Sequence, residues 1–319
     1  MTRRARNARL LNRSLMHAAA KLHYLDGLTQ LEISRRMQVS TATVSRLLAH
    51  ARQEGMVRIE LVDLDESDEF GDRLCGLLGL KAVRVLESGN VASLASQVGT
   101  LLTEANLGAG SVVAIGWGRT VQSLIAAGLP ELPGVVVVPA TGGMHETASH
   151  FQINEFVRTA AEQMGGEARF LHAGLIASAE LRAVLRRDPD TARILEFWSR
   201  TDAAILGIGE FQKASRRPGV RFPDDDAGRI VGDVVRHYYD EHGGEIRWEG
   251  QEDLMAISRE ELRRIPLSIG VAVGKEKVMA ILGAARSGMI NALVTDTQVA
   301  RLLLDHLDRS GETAPKEAG

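Results

Sequence analysis

Apolar positions early in the chain come in two helical bursts. Leu31, Ile33 and Met37 precede a break, and Val44, Leu47 and Leu48 follow it, within the stretch Gly27 to Glu54 (GLTQLEISRRMQVSTATVSRLLAHARQE). The spacing predicts two short helices joined by a tight turn. Ser40 falls at the N-cap of the second, where its hydroxyl can accept from free backbone N–H groups. Thr41, Ala42, Thr43, Ser45 and Arg46 then occupy the first two turns, the positions that meet base edges when the second helix of a helix-turn-helix lies in the major groove. Ser34 supplies the small residue needed where the helices cross. Gln38 stands where a left-handed turn residue is wanted, a strain of roughly 1 kcal/mol relative to Gly.

Upstream, Leu15, Ala18, Ala19, Leu22 and Leu25 predict a supporting helix that ends near Asp26-Gly27, while residues 1–12 lack periodicity and read as a mobile basic arm. Downstream of Gly55, Met56 to Val62 alternates apolar with polar, which predicts a half-exposed strand: a wing that puts Arg58 near DNA phosphate. The acidic run Asp63 to Glu69 is a poor neighbour for DNA and closes the head. A short helix over 70–78 reads as linker or dimer contact.

From about residue 80 the period changes. Short β-branched runs at 83–86, 112–115, 135–138, 203–206, 267–271 and 292–295 alternate with helical stretches at 91–107, 120–128, 151–164, 179–200, 275–287 and 296–307. Continuous apolar strands with crossover helices describe an α/β domain, its mostly parallel sheet covered on both faces. The expected organisation is a winged helix-turn-helix at 1–62, a linker at 63–79, an effector and oligomerisation domain at 80–308 and a tail at 309–319.

Charge separates the two parts. The 319 residues carry a net charge of −3, yet residues 1–60 hold eleven Arg or Lys against four acids, a net of +7 that leaves −10 for the remainder. A basic head on an acidic body suits a polyanion partner for the head alone. Cys75 is the single cysteine, so an intrachain disulfide and a multi-cysteine metal site are excluded, and a reducing, cytoplasmic setting is expected. No run of 18 apolar residues occurs, so no membrane partner is expected. Nothing in the chain calls for a metal or a cofactor.

Ligands of open parallel sheets bind outside the carboxyl ends of the strands. There, Gly116-Trp117-Gly118-Arg119-Thr120 opens a helix with two glycines, a hydroxyl and free helix N–H groups, a plausible phosphate cradle. Val121 stands where a dinucleotide fingerprint wants Gly, and no Walker sequence is present. Gly142 and Gly143 follow the third strand, and Gly207-Ile208-Gly209 follows the fourth. Asp233 offers a carboxylate for sugar hydroxyls and Lys277 an ammonium for phosphate. The charged segment 210–226 reads as a lid or a surface loop.

Together, the head and the runs WGRT, GIG, VGD, EKVMAI and GMINALVTDTQVARLLL resemble the SorC/DeoR-type sugar-responsive transcriptional regulators over residues 14–307. The resemblance implies an effector domain of the glucosamine-6-phosphate/ribose-5-phosphate isomerase fold, a phosphorylated sugar or related phosphorylated small molecule as effector, and homodimers or homotetramers on double-stranded operator DNA. It maps effector binding onto Gly116, Gly118, Thr120, Gly142, Gly143, Asp233 and Lys277; the turn itself adds Trp117 and Arg119, and the recognition-helix and wing placement assigns DNA binding to Arg35, Arg36, Ser40, Thr41, Thr43, Ser45, Arg46 and Arg58. His172-Ala173-Gly174 stands where the family often has Pro-Ala-Pro, and Val273-Gly274 where it has a Gly pair, so the pocket's shape differs. The competing expectation is a sugar-phosphate isomerase or deaminase on a DNA-binding head, which needs a general base near C1–C2 of the sugar. Asp233 and His145 are the candidates, and since no motif pairs an acid with a base, the expectation is a sensor, no enzyme: a repressor of a carbohydrate catabolism operon.

Overall fold

The computed structural model describes residues 3–57, 66–87, 91–143, 152–211 and 228–311. Arg58 with the rest of the expected wing, His145 and nearly all of the expected lid lie outside them. The chain forms two compact units, residues 1–62 and 63–319.

The first unit contains α1 (Arg3–Tyr24), α2 (Gln30–Met37) and α3 (Thr41–Gln53). Thr29 and Glu32 close a capping box at the start of α2, the Glu32 N–H reaching Thr29 Oγ1 at 3.3 Å and the Thr29 N–H reaching Glu32 Oε2 at 2.8 Å. Gln38 ends α2 in the left-handed region, φ 54° and ψ 43°. Ser40 caps α3, its Oγ accepting from the Thr43 N–H at 3.1 Å. The small core joins Met16, Ala19 and Ala20 of α1 to Ile33 of α2 and Val44, Leu47, Leu48 and Ala51 of α3.

Three expectations fail here. Helix α1 begins at Arg3, so residues 3–12 belong to a helix and not to a mobile arm. Its buried stripe runs through Met16, Ala19 and Ala20, because alanines let the partner helix approach closely. Leu15 is therefore exposed, as are Ala18, Leu25 and, on α2, Leu31.

The second unit opens with α4 (Glu66–Leu78), β1 (Ala82–Leu86), α5 (Val91–Glu104), β2 (Val112–Ile115), α6 (Arg119–Ala127) and β3 (Val136–Pro139). Next come α7 (Ile153–Met164), β4 (Glu167–Ala168), α8 (Ala179–Arg187), α9 (Pro189–Ser199) and β5 (Ala203–Glu210). The chain continues through β6 (Gly232–Val234), β7 (His237–Tyr239), β8 (Glu245–Ile246), α10 (Arg259–Arg264) and β9 (Leu267–Val271), and closes with α11 (Val278–Ser287), β10 (Ala292–Asp296) and α12 (Thr297–Ser310).

Seven strands pair in parallel in the order β1-β10-β9-β5-β2-β3-β4, while β6, β7 and β8 form an antiparallel extension from the far end of β5. Strand residues alternate between two cores: Val112 and Ala114 of β2 face one side with Ala204 and Leu206 of β5, and Val113 and Ile115 face the other with Ala203 and Ile205. Chain order reverses between β2 and β5, since β3 and β4 lie on one side of β2 and β5, β9 and β10 on the other.

The stretch expected as linker is instead largely α4, built into this unit. Leu74 is fully buried, Arg73 pairs with Asp308 of α12 at 2.6 Å, and a Cβ on Gly71 would come within 2.8 Å of the Val83 carbonyl oxygen. Its apolar face is used within its own domain and is not free for a dimer contact. The expected helix at 179–200 breaks at Asp188, whose Oδ1 accepts from the Thr191 N–H at 2.8 Å while Pro189 opens α9. The short strands β4, β6, β7 and β8 have no counterpart in the sequence pattern because two or three residues cannot establish a period.

Candidate functional site

The reversal of chain order lies between β2 and β5, and the carboxyl ends of strands at such a reversal are where open parallel sheets receive ligands. Gly116 leaves β2 against β5, its N–H donating to the Ile205 carbonyl at 2.8 Å, and a Cβ there would lie 3.3 Å from Leu206 Cα. Gly118, at φ 148°, starts α6 with no side-chain cap, so the first N–H groups of the helix are unclaimed by a capping side chain. Thr120 is half-buried, Arg119 is exposed, and Trp117 packs its half-buried ring against the α5/α6/α7 side of the core.

The next contacts run along β5. A Cβ on Gly207 would meet Val121 Cγ2 at 3.5 Å and the Trp117 carbonyl at 3.8 Å. One residue on, the Ile208 carbonyl accepts from Lys277 Nζ at 2.9 Å. One further, Gly209 pairs with Asp233 of β6, and a Cβ on Gly209 would lie 2.9 Å from Asp233 Cγ. Three consecutive residues of β5 thus gather the Gly116–Thr120 turn, Lys277 and Asp233.

Asp233 is nearly buried, and its Oδ2 accepts from the Arg236 N–H at 3.1 Å. That bond spans the two-residue turn between β6 and β7, where Val235 and Arg236 hold φ of 51° and 67°. Turns of this hand favour Asn-Gly, and a β-branched residue there is strained, so the carboxylate ties down a costly turn. Behind it, Tyr239 is fully buried; burial pushes its hydroxyl well above the usual range, and the Asp233 charge adds to the rise.

Gly142 and Gly143 differ from the expected role. The Gly142 N–H donates to Met255 at 2.7 Å and the Gly143 N–H to Ala173 at 2.8 Å, so neither is available to an anion. A Cβ on Gly142 would lie 2.7 Å from the Gly174 carbonyl carbon. Gly142 permits a close backbone crossing, and both N–H groups are taken by the chain's own carbonyls. Tyr239 and the Val235-Arg236 turn join the site without any signal in the sequence, whereas Gly209 belongs to the Gly207-Ile208-Gly209 turn that the sequence marks.

In the head, Arg35, Arg36, Ser40, Thr41, Ser45 and Arg46 are exposed and Thr43 is half-exposed. The Thr43 hydroxyl is 2.8 Å from Ser40 Oγ, and Arg46 Nε donates to the Ala42 carbonyl at 3.3 Å. Ser40 and Thr43 thus serve the helix cap, while the guanidinium of Arg46 is held along the exposed first turns of α3.

Comparison with known proteins agrees with both halves. Residues 63–305 match the family model described as "Putative sugar-binding domain", and residues 21–54 match that of sigma-70 region 4. The chain is 30% identical over 305 residues to the sorbitol operon regulator of Klebsiella pneumoniae, covering 89% of this chain and 96% of that protein. The chain belongs to the SorC family of sugar-responsive transcriptional regulators. The crystal structure of full-length SorC from Klebsiella pneumoniae superposes with a TM-score of 0.72 at 29% identity, covering 91% of this chain and 98% of that one. The deoxyribonucleoside regulator of Bacillus subtilis strain 168 is 26% identical over 302 residues, covering 91% of this chain and 96% of that protein. As a SorC-family member the protein is a DNA-binding transcriptional regulator whose second unit is a sugar-binding domain. Among the described residues no helix is long and apolar enough to cross a membrane.

Proposed function

We propose that the protein represses a carbohydrate catabolism operon in the cytoplasm and that a phosphorylated sugar or related phosphorylated small molecule, bound at the carboxyl ends of β2 and β5, modulates its hold on the operator. The observation that carries this reading is the gathering, by Gly207, Ile208 and Gly209, of an uncapped helix start, an ammonium and a carboxylate. Phosphate suits the first two, through the N–H groups of a helix start without a side-chain cap and through positive charge. Sugar hydroxyls suit Asp233, which as a carboxylate only accepts.

Turnover is not part of this reading. Asp233 is engaged by the Arg236 N–H and opposes a glycine, so its carboxylate is used to order the turn, and a sensor needs no general base beside the sugar carbons. Because one recognition helix reads few base pairs, the protein acts as a homodimer or homotetramer on a two-fold related site. Exposed Arg46 reads bases, and Arg35 and Arg36 hold phosphate.

A thermal-shift panel of phosphorylated sugars and their unphosphorylated counterparts tests the site. A true effector at about 100 times its Kd adds roughly 2.7 kcal/mol of stability, and the unphosphorylated sugar gives a far smaller shift. Equal shifts for both members of each pair would overturn the phosphate assignment, and consumption of the bound compound would overturn the sensor reading in favour of an isomerase or deaminase.

A further inference from the structure

Helix α8 buries none of its residues, although it carries Leu181 and Val184, which are 50% and 63% exposed. Ile176, on the segment leading into it, is 44% exposed. The helix is nonetheless held in place. Ser178 caps it by accepting from the Leu181 N–H at 3.3 Å, and on its inner side Arg182 pairs with Asp253 at 3.3 Å. With the Arg182 side turned inward, the helical period puts Leu181 and Val184 on an outward stripe and sets Glu180 and Arg187, seven residues apart, along one flank of it.

We propose that this stripe is a two-fold interface with a second copy of the chain, a surface that rests on the assembly stated under the proposed function. The charges decide the occupant and its direction. When two copies of α8 lie antiparallel across a two-fold axis, like flanks meet, so Glu180 of each copy faces the partner's Arg187 at both ends of the contact. The two Val184 side chains then meet at the axis with a Leu181 on either side. Antiparallel packing about a two-fold axis is isologous and closes as a dimer, and it sets the helix dipoles in opposition, which is favourable. Helix α4 cannot supply this contact, because its apolar face is spent on β1 and α12.

Sedimentation velocity on the full chain tests the interface. Val184→Glu is expected to lower the assembly by one two-fold step, raising the dissociation constant at least about tenfold, while circular dichroism and the melting curve stay as in the parent because the side chain is exposed within one chain. Glu180→Arg and Arg187→Glu are each expected to weaken the assembly, and the double variant to restore it. Unchanged sedimentation of Val184→Glu, or a double variant no tighter than either single one, would overturn the proposal. A parent chain that stays monomeric at every concentration while keeping its thermal shift with sugar phosphate would overturn the interface and leave the effector reading standing. A parent that assembles through α8 yet shows no such shift would do the reverse.

Discussion

Lys277 Nζ lies 2.9 Å from the carbonyl oxygen of Ile208, sixty-nine positions earlier in the chain. The bond fixes an ammonium over the end of β5, one residue from the Gly207 contact with Trp117 and one from the Gly209 contact with Asp233. A cation held there by backbone is already oriented when an anion arrives, which lowers the ordering cost of binding.

Lys277→Ala should therefore abolish the operator response to the sugar phosphate while leaving effector-free DNA binding nearly intact. The response depends on a difference in effector affinity between two states of the protein, and a coupling of about 1–3 kcal/mol corresponds to a change of about 5- to 150-fold in operator affinity. Operator titration with and without effector reads it directly. A variant that responds at the same effector concentration as the parent would show the phosphate to be held elsewhere.

Two glycine substitutions separate site from scaffold. Gly209→Ala sends a methyl group into the Asp233 carboxylate, so the expected result is a loss of effector affinity of at least about tenfold, or 1.4 kcal/mol, with a modest fall in melting temperature. Gly142→Ala meets backbone of Ala173 and Gly174, which cannot swing away, and should destabilise the domain by about 1–3 kcal/mol or more. Chemical denaturation and effector titration of both proteins must split in this way; the opposite pattern would return Gly142 to the binding site.

In the head, Arg46→Ala should cost about 1–3 kcal/mol on the specific operator and relax its selectivity if the guanidinium reads a base, whereas Arg35→Ala or Arg36→Ala should weaken binding evenly across sequences. Titrations of specific and scrambled duplexes at fixed salt distinguish the two. Identical affinities for the parent and all three variants would remove α3 from the DNA surface.

Gln38 holds φ of 54° with a side chain that disfavours it. Gln38→Gly should relieve part of that strain and stabilise the head by about 0.5–1 kcal/mol. Hydrogen exchange of the α2 and α3 amides in the full chain measures the change, and faster exchange in the variant would contradict the strain.

His237 lies buried in β7, beside the hairpin turn that orders Asp233, with Nε2 2.8 Å from the Ile257 carbonyl. Burial pushes its pKa below the ordinary value; the hydrogen bond to Ile257 opposes the shift, and the charge of Arg259 adds to it. An imidazole with a lowered folded-state pKa leaves stability intact above the unfolded value of about 6.5 and costs stability as pH falls below it, because the unfolded chain then binds the proton more readily. Urea unfolding should show this loss between neutral and mildly acidic pH, and His237→Gln should flatten it. An equally steep loss in the variant would place the acid sensitivity on another group.

The sequence by itself determined the features that depend on neighbours within a few residues. The Ser40 cap, the left-handed Gln38, the small Ser34 and the six longer strands were all legible, because caps, φ preferences and periods of 2 and 3.6 are local. So were the positions of Lys277 and Asp233 after apolar runs. Tertiary structure decided which faces those elements cover and what their polar groups meet. Leu15 has the right spacing for a core but lies outside one, since α1 packs through Met16, Ala19 and Ala20, and Leu25 after α1 and Leu31 on α2 are likewise exposed. The stretch 63–79 reads as a linker because the short apolar face of 70–78 says nothing of the β1 and α12 surfaces against which α4 packs. Gly142 and Gly143 form a glycine turn in the sequence, but their N–H groups go to Met255 and Ala173, segments that the sequence does not pair with them. A hydrogen bond between distant segments is fixed by the packing of the whole sheet, and no local pattern encodes its partner.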